Sequence, residues 1–294
     1  MSARTIRFLM EHPLAKRNKP LAYYRFFSWQ VRSRLSSSPV VYDFVNNSQL
    51  LVYPRMTGAT GNVYAGLHEF YDMSFVLHAL RSEDLFVDIG ANIGSYTTLA
   101  GAAVGANCIS IEPIPATFAH LLENVELNNL QHKVECLNIG LGKEPGELKF
   151  SSGEDTMNHV VSSEEFCEKF VSVEVRPLDN ILGGKQPTII KIDVEGWEES
   201  VISGAETTLS KAVPLAVLME FGLGERYGFN ERALYQKMID FGFERASYAP
   251  FARRLMPYQG KDILEGNILF VKQMDFFQVR VQSAPKYKAL NVSI

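Results

Sequence analysis

The sequence predicts an α/β fold built on a mostly parallel sheet. Three observations carry this. From residue 84 onward, five short and almost uniformly apolar runs alternate with helical segments, as expected of strands buried on both faces and joined by helical crossovers. Four of the runs end in an acid, Asp88, Glu112, Asp193 and Glu220. The carboxyl ends of parallel strands are where such sheets bind ligands. Two closely spaced strand-like segments, 243–248 and 266–272, come last, so the sheet is expected to finish with an antiparallel strand.

The elements follow in chain order. Residues 1–36 read as one or two short helices broken near Pro13 and Pro20. Residues 40–56 alternate and contain Asn46-Asn47, a hairpin signal. Residues 57–62, Thr-Gly-Ala-Thr-Gly-Asn, read as a loop by composition. Between 67 and 80, Leu67, Phe70, Tyr71, Phe75, Leu77 and Leu80 recur at helical spacing. The five runs are 85–87, 108–111, 134–139, 188–192 and 215–219; helices are expected over 95–104, 116–129 and 231–241. The stretch 144–180 breaks the rhythm. It holds a strand-like 147–151, a polar loop 153–159, a short helix 163–170 and an alternating 171–176, and reads as an insertion over the sheet edge.

Composition narrows the classes. Apolar content of 46% and charged content of 21% exclude a disordered, collagen-like or coiled-coil chain. No run of 18 apolar residues occurs, so no membrane-spanning helix is expected, and no apolar leader is read at the start. Cys108, Cys136 and Cys167 are widely spaced and form no metal or redox pair. Free thiols in a reducing cytoplasm are the expectation. The net charge of −4 hides an asymmetry. Residues 1–36 sum to +7 and the remainder to −11.

The chemistry centres on Val87-Asp88-Ile89-Gly90-Ala91-Asn92-Ile93-Gly94, between a strand and a helix. Its Gly-x-x-x-Gly spacing permits a tight turn but is not the dinucleotide pattern. Asp88 before the first glycine would repel a pyrophosphate and suits a cationic ligand. Glu112 lies 22 residues past Gly90, the usual separation for an acid that accepts ribose hydroxyls. A ligand with a ribose, an ammonium and a sulfonium, and without phosphate, is S-adenosylmethionine. Lys191, Asp193 and Glu195 alternate, so extended backbone would put all three on one face.

These segments resemble the FkbM family of S-adenosylmethionine-dependent methyltransferases. The resemblance runs from 84 to 222 and rests on DLFVDIGANIG (84–94), SIEP (110–113), NIGLG (138–142), KIDVEGWE (191–198), Gly204 and MEF (219–221), with GNILF (266–270) as the last strand. It implies a class I methyltransferase, Rossmann-like, with a seven-stranded, mostly parallel sheet and an antiparallel last strand. The expected organisation is a basic, aromatic extension over 1–56, a methyltransferase domain over 57–273 with the 144–180 insertion over its active site, and a tail over 274–294.

The resemblance implies that Asp88, Gly90, Ala91, Asn92, Gly94, Ser95 and Tyr96 cradle the methionine part of the cofactor. Glu112 and Pro113 would hold the ribose side, Asn138 and Ile139 would flank the adenine, and Asp193 would lie near the amino group or the methyl. It also implies O-methylation, most often of sugars or glycosylated natural products. A base is then needed to take the hydroxyl proton. His159, Asp193, Glu195 and Glu220 are the candidates, a histidine being the side chain suited to neutral pH. Asn158, His159, Lys191 and Trp197 are expected to face the acceptor; Tyr64, Tyr96 and Trp197 could stack or simply pack. The other histidines, His12, His68, His78, His120 and His132, read as helix-surface or loop residues.

No dedicated metal-ligand spacing is present, so metal-independent chemistry is expected. A carbohydrate or glycosylated acceptor leads; a polyketide or lipid acceptor, or a non-catalytic cofactor-binding scaffold, are the alternatives. Nucleic acid is disfavoured, because no Asp-Pro-Pro-Tyr type sequence of base methylation accompanies the basic end. That end suits either docking on the acidic core or peripheral contact with the inner face of a membrane.

Overall fold

The structure is a computed structural model of the 294-residue chain and describes residues 3–54, 56–151, 158–161, 169–261 and 263–294. It opens with three helices, α1 (Ala3–Glu11), α2 (Pro13–Arg17) and α3 (Lys19–Leu35). Each proline starts a helix, since a proline in the first turn gives up no hydrogen bond there. His12 Nδ1 accepts from Leu14 N at 3.3 Å and Asn18 Oδ1 from Leu21 N at 3.2 Å, capping α2 and α3. The expected hairpin follows, β1 (Val40–Asp43) antiparallel to β2 (Gln49–Val52), with Asn46 at φ +52° in its turn.

α4 (Thr57–Ala65) replaces the loop expected from composition. Ala59, Val63, Tyr64 and Ala65 are buried, and covering that face under α3 outweighs the low helix propensity of its glycines. α5 (Phe70–Ala79) fulfils the helical periodicity and is buried over most of its length.

Next come β3 (Leu85–Ile89), α6 (Ser95–Thr98) continuing as a π-helix over Leu99–Val104, β4 (Asn107–Ile111), α7 (Pro115–Leu127) and β5 (Val134–Leu137). β6 (Gly140–Leu141), β7 (Gly146–Ser151) and β8 (Phe170–Arg176) form a separate small sheet in the order β6-β8-β7. The chain then returns through α8 (Leu178–Leu182), β9 (Ile189–Ile192), α9 (Glu198–Ser203), α10 (Glu206–Leu209) and β10 (Leu215–Phe221). α11 (Glu231–Asp240), β11 (Glu244–Ala249), β12 (Arg254–Pro257), β13 (Gly266–Lys272), α12 (Met274–Ser283) and a terminal hairpin, β14 (Lys288–Ala289) and β15 (Val292–Ser293), complete it.

The central sheet has the order β12-β11-β13-β10-β9-β3-β4-β5. β10, β9, β3, β4 and β5 pair in parallel; β13 runs antiparallel between β10 and β11. Seven of these strands make the class I arrangement the resemblance implies. The eighth, β12, is an added antiparallel edge that sequence did not foretell. Register fixes where the site lies. Ile89 sits beside Ile111 and Ile192, and Ile192 beside Met219. The next residues, Gly90, Glu112, Asp193 and Glu220, therefore stand at one level, the first three just past their strands and Glu220 still in β10 opposite Asn267; Asp88, expected at a strand end, lies inside β3, level with Ser110 and Lys191.

One core face packs α5 and the amino-terminal helices against the sheet: Leu9, Leu14, Phe26 and Trp29 share a cluster with Phe86, Ile189 and Leu218. The opposite face is covered by Leu178, Val201, Leu209 and Met238. Cys108 is a buried free thiol and Cys136 a half-buried one; Cys167, most of the 163–170 helix and 153–157 of the polar loop lie outside the described residues. His12 and His78 differ from the surface role expected of them. His12 Nε2 lies 2.6 Å from Leu67 O, and His78 Nδ1 lies 2.5 Å from the Tyr248 hydroxyl. Burial lowers His12 to about 4 and His78 to about 3, so both pack as neutral rings.

Candidate active site

A cavity of about 670 Å³ opens at the strand ends, within the size range of small-molecule sites. Gly90 forms its floor. Its φ is +73°, and a Cβ there would stand 1.8 Å from the carbonyl oxygen of Asp193. Only glycine lets β3 and β9 approach this closely. Asn92 follows, also left-handed at φ +51°, with its side chain accepting from Ile93 N at 2.8 Å.

Glu112 faces this turn. One of its oxygens accepts from Asn92 N and the other from Ile114 N, each at 3.0 Å. Burial pushes its carboxyl up to about 7, against these two bonds. A carboxylate offers about four acceptor positions, so two remain for hydroxyls of a ligand. Asn138 does not line the cavity. Its amide donates to the carbonyls of Glu112 and Pro113 at 2.8 and 2.9 Å and so fixes the turn that carries them.

At the other end, Lys191 is buried and its Nζ donates to Asp193 Oδ2 at 2.8 Å. Burial alone would lower its pKa, but the charges of Asp193, Glu69 and Asp88 outweigh this and raise it. Burial likewise opposes ionisation of Asp193, yet Lys191 holds that carboxyl below its ordinary value. Glu220, hydrogen-bonded to Asp193, is raised by burial and by the Asp193 charge, so it retains its proton. Burial, then the Asp193 charge, push Glu195 up to about 7. Carboxylate oxygens of Asp193, Glu195 and Glu220 lie within 4.8 Å of one another.

Glu195 departs from the extended backbone expected of it. β9 ends at Ile192, and Glu195 adopts φ +55° in the turn before Gly196. Left-handed backbone at a non-glycine residue costs energy and concentrates at functional positions. Lys191, Asp193 and Glu195 nevertheless all line the cavity.

Of the residues expected from sequence, Asp88, Gly90, Ala91, Asn92, Ser95, Tyr96, Glu112, Pro113, Asn158, Lys191, Asp193 and Glu195 line it together. Gly94, Ile139, His159, Trp197 and Glu220 do not. Gly94 starts α6 at φ +87°, with Leu121 packed where a Cβ would be. Ile139 is buried below the sheet. His159 is buried with its backbone N donating to Ser151 Oγ at 3.0 Å, near enough for its charge to favour ionised Glu195. Trp197 donates from Nε1 to Leu141 O and packs on Tyr227 and Phe229.

Sequence reading missed the wall opposite the strands. Thr5 and Phe8 of α1, Gly58, Thr60, Gly61 and Asn62 of α4, and His68 and Glu69 all line the cavity. Glu69 accepts from the Tyr96 hydroxyl at 2.6 Å and from Asn267 at 2.8 Å. Asn62 donates to Ser95 Oγ at 3.2 Å. Gly58 and Gly61, three apart, were the available signal: on a helix they give one small face.

An acid-bearing glycine turn, a second acid at the end of the neighbouring strand and a seven-strand core with its last strand antiparallel define a nucleoside-binding methyltransferase-type domain. The Methyltransferase FkbM domain matches residues 88–262, more than half the chain, and the chain belongs to that family. It is 28% identical over 161 residues to "Methyltransferase 1" of Beauveria bassiana, covering 47% of this chain and 64% of that one. It is 28% identical over 139 residues to "Hexuronic acid methyltransferase AglP" of Haloferax volcanii, covering 46% and 55%. The chain thus spans less than two thirds of either relative. Superposed on the crystal structure of Pyrococcus horikoshii TYW2 in complex with MeSAdo, it gives a TM-score of 0.45 at 15% identity, over 80% of this chain and 71% of that one. The cofactor of this family is S-adenosylmethionine, and the residues present fit it. Glu112 keeps free acceptor positions for ribose hydroxyls, Gly90 leaves the floor bare, and Lys191, a cation in the lining, is already paired with Asp193 rather than free for a phosphate.

Proposed function

We propose that the protein methylates a hydroxyl of a sugar, in a glycan, glycolipid or glycosylated metabolite, using S-adenosylmethionine. The observation that carries this reading is Glu195. It is a half-buried carboxyl poised at about 7, on the same cavity as the Gly90–Glu112 turn. The Haloferax relative, named for a hexuronic acid, supports a sugar acceptor.

The bound cofactor would supply a methyl carbon already activated by its sulfonium. What remains for the chain is alignment, worth up to about 7–11 kcal/mol for well-oriented reactants, and removal of the hydroxyl proton, typically about 10²–10⁴-fold. Glu112 would anchor the ribose. Among the three candidate carboxyls, Glu195 has the pKa best matched to neutral pH. Asp193 is a weak base because Lys191 stabilises its charge. Glu220 keeps its own proton and hydrogen-bonds Asp193, and His159 stands off the cavity. Glu195 would take the hydroxyl proton as the methyl carbon exchanges its bond to sulfur for one to the hydroxyl oxygen, the sulfur leaving as a neutral thioether, and would later release that proton to solvent.

Incubation with methyl-labelled S-adenosylmethionine and a panel of free, nucleotide-linked and lipid-linked sugars tests this. Label on a sugar hydroxyl is the expected result. Label found only on polyketide or lipid hydroxyls, or on nothing despite tight cofactor binding, overturns it.

A further inference from the structure

α3 is apolar on two opposite faces. Ala22, Phe26 and Trp29 are buried against the core. Opposite them, Tyr24, Phe27, Val31 and Leu35 form a stripe at helical spacing and are 68%, 53%, 57% and 82% exposed. They line a shallow, open groove with Arg32. Scattered exposed apolar residues are ordinary, but four aligned along one helix are not. None of these four lines the cavity, so the proposed methyl transfer does not explain them.

Charge says what covers the stripe. Lys16, Arg17 and Lys19 are exposed at one end, Arg32 and Arg34 at the other. No acid occurs between residues 12 and 42, although the chain beyond residue 36 sums to −11. An aromatic and aliphatic stripe about 17 Å long, bracketed by cations, fits a bilayer interface whose headgroups are anionic. No helix among the described residues is long and apolar enough to cross a membrane, so the contact would be peripheral.

The geometry points to α3 as an interfacial helix that seats the protein on an anionic membrane surface through Tyr24, Phe27, Val31 and Leu35. The helix is also tied to the cavity wall. Arg25 Nε donates to Tyr64 O at 3.2 Å and Gln30 Nε2 to the Tyr64 hydroxyl at 2.9 Å, and Tyr64 lines the cavity. Seating α3 therefore holds the cavity close to the bilayer.

Co-sedimentation with vesicles tests this on the full chain, whether or not methyl transfer is found. Vesicles containing phosphatidylglycerol should pull down the protein, and phosphatidylcholine alone should not. Phe27→Glu/Leu35→Glu should weaken binding at least tenfold. Arg32→Gln/Arg34→Gln should weaken it about 25-fold, at about fivefold per cation near the surface. Thermal melts of both variants should match the parent, since all four side chains are exposed. No binding to anionic vesicles, or equal binding by the Phe27/Leu35 variant, overturns the proposal. So does a dimer in light scattering that the same variant converts to monomer without any vesicle binding, which would make the face an interface between copies.

Discussion

Lys191 offers the sharpest perturbation. It is 5% exposed and donates to Asp193 at 2.8 Å, while the charges of Glu69 and Asp88 also act on it. Lys191→Met keeps the aliphatic stem and removes the cation. At about 4 Å and an effective dielectric near 20, one such pair is worth about 4 kcal/mol. Breaking a buried pair by deleting one partner typically costs about 3–5 kcal/mol. The loss should depend on pH. In the parent, raised Lys191 contributes stability that is fully present below its unfolded pKa, so it is constant from pH 5.5 to 8. In the variant, Asp193 and Asp88 lose their counterion and hold protons more tightly. They can escape the penalty at low pH by protonating, but not at high pH. Urea unfolding followed by circular dichroism should therefore show a loss of about 3–5 kcal/mol at pH 8 and a smaller one at pH 5.5. A loss below about 1 kcal/mol at pH 8, or the same loss at both pH values, refutes the reasoning.

Gly90→Ala should weaken cofactor binding in a calorimetric titration by at least about tenfold and destabilise the fold by about 1–3 kcal/mol, because the added methyl meets the Asp193 carbonyl in a left-handed turn; an unchanged Kd would contradict the tight-floor geometry. Glu112→Gln should weaken the cofactor by about 1.5–3 kcal/mol, since the glutamine NH2 only donates and cannot replace the oxygen that now accepts from Asn92 N or Ile114 N; equal affinity would remove Glu112 from the ribose. The ligand-free protein should melt lower as pH rises from about 5 to about 8. Glu112, Glu195 and Glu198 are raised to about 7 in the fold, so the native state binds more protons than the unfolded one and loses that stability as pH climbs through 7. A melting temperature that rises over this range contradicts the burial of these acids.

The strand ends were legible for three of the four acids: Glu112, Asp193 and Glu220 each follow an apolar run, and parallel register brings them to one level. Asp88 was placed one step wrong, because β3 continues through Ile89 and leaves Asp88 inside the strand, level with Ser110 and Lys191. Helix α4 was not legible. Its glycines and threonines signal a loop locally, and only burial under α3 makes the helix pay. Glu69 was hidden for a related reason. Nothing in its neighbourhood marks it until Tyr96 and Asn267, far along the chain, converge on it. Glu195 was found for the wrong geometry: alternation placed it on a strand face, whereas a left-handed turn swings it into the cavity. β12 escaped because a short edge strand needs no strong apolar pattern.

The central claim is that Glu195 takes a proton from an acceptor hydroxyl beside a bound methyl donor. The most direct measurement is the pH dependence of kcat/KM for transfer of labelled methyl from S-adenosylmethionine to the accepted sugar, for the parent and for Glu195→Gln. The parent should show an acid limb near pH 7, the value to which burial raises Glu195. Glu195→Gln should lose about 10²–10⁴-fold in kcat and the limb with it, while cofactor affinity stays unchanged. An acid limb that survives in Glu195→Gln, or a turnover equal to the parent's, contradicts the account.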